Sequence, residues 1–244
     1  MLRTCFLVAA LLAATASAAF ASDDAAPAFV NAFAGSWVTF EPSLTAKGGP
    51  CEIELQKTAS GKNYVAGQSS CAGDLAEVVA WGIVDQQLAL VGPDGTVTAR
   101  LGGNQNMISG TLKNGAEVIL ERKQLAERIH AQWASLKCVY LGYATKCASA
   151  DQLALPDAKS TGKGANVTVL IQLNVRIEPR PDAKVVSVLA PKTCLPVKSC
   201  ITAANGAWCQ ISESGQNGWI AQKTVRLGKY PIVTFSKGCG TLSD

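Results

Sequence analysis

Cysteines are the side chains of this sequence whose types and spacing could do chemistry. Nine occur in 244 residues, and Cys5 lies in a segment typical of a removable leader. An even set in an exported chain favours four disulfides, each stabilising by about 2 to 4 kcal/mol. The competing interpretation is zinc, but no pair has C-x-x-C spacing and His130 is the only histidine, so no metal site is predicted. The eight remaining cysteines are Cys51, Cys71, Cys138, Cys147, Cys194, Cys200, Cys209 and Cys239.

No catalytic residue is predicted. With one histidine and cysteines that pair, Ser-His or Cys-His machinery is hard to build, so the chain is not expected to be an enzyme. Gly162-Lys163-Gly164 lacks the long glycine loop and the hydroxyl of a phosphate cradle, and no cofactor is expected. Six carboxylates could serve a glycan hydrolase but show no distinctive pairing: Glu52, Glu54, Asp74, Glu77, Asp85 and Asp94.

The composition is that of a folded, exported protein. Hydrophobic residues make up 48% of the chain and charged residues 16%, which argues against disorder. The formal net charge of +4 is scattered, with no basic run interleaved with aromatics, so no nucleic-acid partner is expected. A weak attraction to anionic cell-wall polymer or lipid stays open.

Residues 1–21 are typical of a secretory signal peptide. The apolar run from Phe6 to Ala14 is too short for a membrane span, and A-x-A patterns end at Ala18 and Ala21. Cleavage after Ala21 is favoured and cleavage after Ala18 is the alternative. Cys5 lacks the small-residue context of a lipoprotein anchor, so we expect a soluble periplasmic or secreted protein.

The segment 34–121 predicts an all-β unit. Its apolar residues form eight short runs separated by turns such as Pro93-Asp94-Gly95 and Asn114-Gly115. Closure removes exposed sheet edges, so the pattern favours an eight-stranded antiparallel barrel, with Cys51 and Cys71 joined in one disulfide. The predicted strands are 37–40, 51–56, 64–67, 78–84, 88–91, 97–101, 107–112 and 118–120.

Residues 122–165 connect this barrel to a second unit. Helical spacing of Leu125, Ile129, Trp133 and Leu136 predicts an amphipathic helix over 122–136, which packs on the barrel or on the following domain. His130 within it is expected to be a surface or packing residue. Cys138 and Cys147 bracket a loop and are expected to pair, and 157–165 has the composition of a linker.

The second unit, 166–244, predicts a small barrel of five or more strands and a tail. Along it lie the segments Leu173-Asn174-Val175-Arg176, Glu178-Pro179, Val185-Val186-Ser187-Val188-Leu189, Asn205-Gly206-Ala207-Trp208-Cys209-Gln210-Ile211 and Gly218-Trp219-Ile220. In these segments the unit resembles a bacterial SH3-type domain, in which the Asn-Val-Arg strand opens the barrel and Gly-Trp-Ile marks its last long strand.

The SH3-type resemblance implies binding to peptidoglycan or protein without catalysis. Arg176, Trp208 and Trp219 could line a groove where aromatic faces stack on a ligand. The alternative is that both tryptophans are packing residues of the barrel. Paired cysteines around the Trp-Cys segment are common in exported members, which implies Cys200–Cys209 and leaves Cys194–Cys239.

The first unit contains a second series of motifs, which are Ala34-Gly35-Ser36-Trp37, Cys51-Glu52-Ile53-Glu54-Leu55, Cys71, Ala80-Trp81, Leu88-Ala89-Leu90, Pro93-Asp94-Gly95 and Gly110-Thr111-Leu112. In these motifs it looks like the Inh-type inhibitors of secreted bacterial metalloproteases. That family implies an eight-stranded barrel with one disulfide, preceded by a trunk that enters the protease cleft.

Carried onto this chain, the trunk is a mobile segment over 22–33. Its inhibitory residues would be Ser22, Asp23, Asp24, Ala25 and Ala26, with the terminal amine of Ser22 as a ligand of the protease's catalytic zinc. Asp23 and Asp24 are more acidic than such a trunk is expected to be. The expected partner is a secreted, serralysin-like metalloprotease, and the alternative is a non-inhibitory module that binds peptidoglycan or an envelope protein.

Overall fold

The computed structural model describes residues 25–46, 49–156, 165–213 and 215–239. The predicted signal peptide, the trunk residues Ser22, Asp23 and Asp24, and most of the predicted linker lie outside the described residues. A helix, α1, spans Ala25–Phe33, where the sequence predicts a mobile trunk. The strands that follow are β1 (Gly35–Thr39), β2 (Cys51–Ser60), β3 (Asn63–Ser69), β4 (Ala80–Val84), β5 (Gln87–Val91), β6 (Val97–Gly103), β7 (Met107–Leu112) and β8 (Glu117–Arg122).

These eight strands form a closed antiparallel barrel, as predicted. Strand β1 pairs with both β2 and β8, so the sheet has no free edge. Alternation along β2 places Cys51, Ile53 and Leu55 inside the barrel and Glu54 outside. Several strand boundaries differ from the prediction by a few residues: β2 continues to Ser60, and β4 begins only at Ala80, after a 3₁₀ turn over Gly73–Glu77.

The connection contains the predicted amphipathic helix, which spans Lys123–Ala134 and is named α2. It is followed by β9 (Tyr140–Leu141) and by the short helix α3 (Ala150–Leu153), where Ser149 and Gln152 form a capping box. Among the described residues, no helix is long and apolar enough to span a lipid bilayer.

The second unit contains the strands β10 (Ala165–Val169), β11 (Leu173–Arg176), β12 (Val185–Leu189), β13 (Cys194–Ala203), β14 (Gly206–Glu213), β15 (Gln216–Ala221), β16 (Lys223–Arg226), β17 (Tyr230–Val233) and β18 (Phe235–Lys237). Seven of them form one sheet in the order β12-β11-β15-β14-β13-β10-β18. The buried core of this unit includes Val169, Val175, Ile211, Ile220 and Phe235. A separate three-stranded sheet has the order β16-β17-β9, where β9 is parallel to β17.

Each disulfide joins two cysteines of the same part of the molecule. Each of the four pairs is one that the sequence analysis expects. One staples β2 to the segment after β3 in the first barrel, one closes the loop after α2, and two lie in the second unit. The pairs are Cys51–Cys71, Cys138–Cys147, Cys200–Cys209 and Cys194–Cys239.

Candidate functional site

Helix α1 is docked on the first barrel by its own apolar face. Val30 is buried in the barrel core cluster, and Phe29 and Phe33 pack against the same cluster. A barrel interior is open only at its ends, so this helix covers one of them. On its polar side, Lys57 Nζ of β2 donates to Asn31 Oδ1 at 2.7 Å.

Arg122 fastens the C-terminal end of α1. Its Nη2 donates to the Ala32 carbonyl at 2.6 Å, and its Nη1 donates to the Ala34 carbonyl at 2.8 Å. These carbonyls would otherwise lack helical partners, and a cation at a helix C-terminus also complements the helix dipole. Burial lowers the pKa of Arg122, opposed by the nearby Glu54 carboxylate, but a guanidinium keeps its charge in proteins.

Trp37 completes this anchor from inside the barrel. It is fully buried, and its Nε1 donates to the Phe33 carbonyl at 2.8 Å. The Arg122 guanidinium carbon lies 4.1 Å from the centroid of its ring, a cation–π contact. Trp37 and Arg122 are also register partners across β1 and β8. The strand pair that closes the barrel is therefore the pair that holds the helix.

The Ala34-Gly35-Ser36-Trp37 motif requires a glycine at its second position. The φ of Gly35, +118°, lies in a region that favours glycine, and this residue turns the chain from helix into strand. A Cβ at this position would lie 2.9 Å from Nη1 of Arg122 and would displace the guanidinium. The motif that matches the family is thus the turn that joins helix α1 to strand β1.

Two of the five predicted inhibitory residues lie in the part of the chain that the structure describes. Ala25 and Ala26 form the first turn of α1, whereas Ser22, Asp23 and Asp24 lie outside the described residues. The anchor residue Arg122 was missed, because the sequence analysis places it among the charged residues of the linker helix. The apolar spacing of Phe29, Val30 and Phe33 is the signal that could have indicated a docked helix.

The three residues predicted to bind a ligand in the second unit do not form one groove. Arg176 and Trp208 line a cleft of about 340 Å³ beside α2, together with Asn205. Nη1 of Arg176 donates to the Ala183 carbonyl at 2.6 Å and so supports the proline-containing loop. Trp219 does not line this cleft: it pairs with Arg176 across β11 and β15 and packs with Trp208 in the contact between the two units.

That contact is built around the two tryptophans of the second unit. Trp208 and Trp219 are 2% and 6% exposed, and they share one cluster with Met107 and Ile119 of the first barrel. Stacking of Trp219 on a ligand would require this contact to open. The sequence alternative, that both tryptophans pack rather than bind, agrees with this placement.

Polar groups complete the contact between the barrels. The buried Glu121 carboxylate on β8 accepts a hydrogen bond from the Ala204 N–H at 2.6 Å, and Glu41 accepts one from the Thr202 N–H at 2.9 Å. Burial raises the pKa of Glu121 to about 7, opposed by the hydrogen bond from Ala204.

Helix α2 packs between the two units. Its buried Ala126 shares a cluster with Val38 of the first barrel and Ala204 of the second. The helix therefore packs on both of the partners that the sequence leaves open. The exposed His130 stacks on Phe40 with ring centroids 4.4 Å apart, which is a packing role.

Comparison with known proteins agrees with the order of the two units. Residues 29–122 match a family described as protease inhibitor Inh, and residues 172–226 match the bacterial SH3 domain. The outer membrane lipoproteins omp19 of Brucella melitensis and Brucella suis are each 31% identical over 93 residues, which is 38% of this chain. The chain spans about half the length of these relatives, since the aligned part is 50% of each. This protein thus carries an inhibitor-type barrel followed by a bacterial SH3-type unit.

Proposed function

We propose that this protein inhibits a secreted zinc metalloprotease of the serralysin type through its N-terminal trunk. The observation that carries the proposal is the anchored helix α1. Arg122 and Trp37 hold its C-terminal end on the barrel, so the helix to which the proposed trunk is joined is fixed in place. Pre-organisation of this kind lowers the entropy lost on binding.

The reach of the trunk fits an insertion mechanism. With cleavage after Ala21, three residues precede α1, and such a segment spans at most about 10 Å. The neutral amine of Ser22 would then replace the catalytic water on the protease's zinc. The carboxylates of Asp23 and Asp24 would need basic partners in the protease cleft, because unpaired charges are costly to desolvate.

The test combines N-terminal sequencing of the exported protein with titration of that material against a serralysin-type protease. We expect a Ser22 start and stoichiometric inhibition. One alanine added before Ser22 should abolish inhibition by displacing the amine, whereas one alanine added after Asp244 should leave it intact. A lack of inhibition by correctly processed and oxidised protein would contradict the proposal.

An envelope location supports this assignment. The leader of residues 1–21 is typical of export, and the similar Brucella proteins carry the name outer membrane lipoprotein. The SH3-type unit would hold the inhibitor near the cell wall or a protein partner. Membrane-free periplasmic and culture fractions, probed with an antibody to the mature chain, would test the periplasmic or secreted location.

A second candidate is a non-inhibitory module that binds the cell envelope. It is favoured by the cleft beside α2, where Trp208 Nε1 and Asn205 Oδ1 are buried without a hydrogen-bond partner among the described residues. A peptide amide offers the carbonyl and N–H that would complement them. Sedimentation with isolated peptidoglycan that requires residues 166–239, without any protease inhibition, would support this function instead.

A further inference from the structure

Three tyrosines gather at a cleft that the two family matches leave almost wholly unassigned. Tyr140 and Tyr143 belong to the disulfide loop between the matched segments, and Tyr230 follows the second match. With Arg226 they line a cavity of about 310 Å³, here named the tyrosine cleft. This volume is at the lower end of the range for small-molecule sites.

The tyrosine cleft has a rigid frame. Strand β9 pairs in parallel with β17, which places Tyr140 opposite Ile232. The Cys138–Cys147 disulfide closes the loop, and the Gly142 N–H donates to the Val233 carbonyl at 3.1 Å. A surface held in this way loses little conformational entropy when a ligand binds.

Cations lie over two of the tyrosine rings: one belongs to the lining residue Arg226, and the other to Lys229, which is not a lining residue of the cavity. The Arg226 guanidinium carbon lies 4.4 Å from the ring centroid of Tyr143, and Lys229 Nζ lies 5.4 Å from that of Tyr230. Tyr143 is 58% exposed and Tyr230 is 41% exposed, so part of each ring remains accessible beside its cation contact. No lining residue is acidic, and Arg226 forms no ion pair with any residue that the structure describes.

We propose that the tyrosine cleft binds a sugar chain that carries carboxylates. The C–H face of a sugar ring is apolar and packs on an aromatic face, while its hydroxyls reach the phenol groups. A carboxylate on the same chain would pair with the planar guanidinium of Arg226. A neutral sugar would leave Arg226 without an ionic partner, and an acidic peptide would leave the exposed ring faces without a flat partner.

The binding can be tested on the full mature chain by NMR titration with tetragalacturonate. We expect shifts of backbone amides in 139–147 and 226–233. The methyl ester of the same tetrasaccharide keeps the rings and removes the charges, so it should bind about tenfold more weakly, as expected for loss of one charge-assisted hydrogen bond. Arg226→Gln and Tyr143→Ala should each weaken binding of the acid by a similar factor.

The matched control is Arg100→Gln, which removes the same charge from an exposed site on the first barrel. It should leave binding unchanged within about twofold, because Arg100 does not line the tyrosine cleft. Equal binding of acid and ester, an absence of shifts at these amides, or insensitivity to both cleft variants would overturn the proposal. Equal binding of tetraglutamate or of a single-stranded oligonucleotide at the same amides would overturn it as well.

Discussion

The two units of this molecule use their buried tryptophans in different ways. Trp37 of the first barrel lies inside the core and reaches out through its Nε1 to hold the helix that precedes the barrel. Trp208 and Trp219 of the second unit lie in a cluster that contains Met107 of the first barrel. Trp37 positions the proposed functional end, whereas Trp208 and Trp219 join the units.

This difference shows that tryptophan content alone does not locate a binding surface. Tryptophan on an SH3-type unit invites a ligand-stacking interpretation, yet here another domain occupies that position. The surface aromatics that stay exposed are tyrosines, at the disulfide loop and near the C-terminal tail. The two proposals place protease binding at the N-terminal end and carbohydrate binding in the part of the chain that follows the first barrel.

The largest expected effect comes from the anchor of the first region. Arg122→Ala removes the donors to the Ala32 and Ala34 carbonyls and the cation over Trp37, and should lower the free energy of unfolding by about 4 kcal/mol. Urea unfolding measures this decrease in the free energy of unfolding. Faster hydrogen exchange of amides 29–34 should accompany the loss. Arg100→Ala is the matched control, and an equal effect of the two variants would refute the anchor.

The contact between the barrels provides the second test. Ile119 is 1% exposed and packs in the cluster with Trp208 and Trp219. Ile119→Ala should cost about 3 kcal/mol and separate the unfolding of the two units into two transitions. The exposed Ile83 on the same barrel is the control, and Ile83→Ala should cost under about 1 kcal/mol. A single unshifted transition for Ile119→Ala would argue that the contact contributes no stability.

The barrel was predictable because its pattern is local. Short apolar runs separated by glycine-containing turns define eight strands before any pairing is known, and the alternation along β2 is one example. The pairing of β9 with β17 was not predictable, since two residues of parallel strand meet across about ninety residues of sequence. The periodicity of apolar residues also predicts which face of β14 is apolar. It does not predict that Trp208 on that strand packs against the first barrel. Likewise Arg122 was assigned to a helix surface because its partners are backbone carbonyls, which leave no side-chain pattern.

The pH dependence of the contact between the barrels depends on Glu121. Its pKa is raised in the folded state, so the folded protein binds this proton more tightly than the unfolded chain does. The associated stability is fully present below about pH 4.5 and is lost as the pH rises through about 7, with a change on the order of 2 kcal/mol. Thermal unfolding from about pH 5 to about pH 8 should show this decline.

Glu121→Gln keeps a carbonyl that can accept from the Ala204 N–H and removes the titration. The decline between these pH values should therefore be absent in this variant. The exposed Glu127 on α2 provides the comparison, because Glu127→Gln should retain the decline of the original protein. If both variants retain it, another group is responsible.

The smallest effect is expected at His130. It is exposed, and its visible contact is the stacked ring of Phe40 at 4.4 Å, on the side of α2 that meets the first barrel. A pair of this kind contributes about 0.5 to 1.5 kcal/mol, and exposure places it at the low end. His130→Ala should therefore lower the free energy of unfolding by under about 1 kcal/mol and leave protease inhibition unchanged. Loss of inhibition in a variant of unchanged stability would transfer the functional role from the N-terminal anchor to this helix.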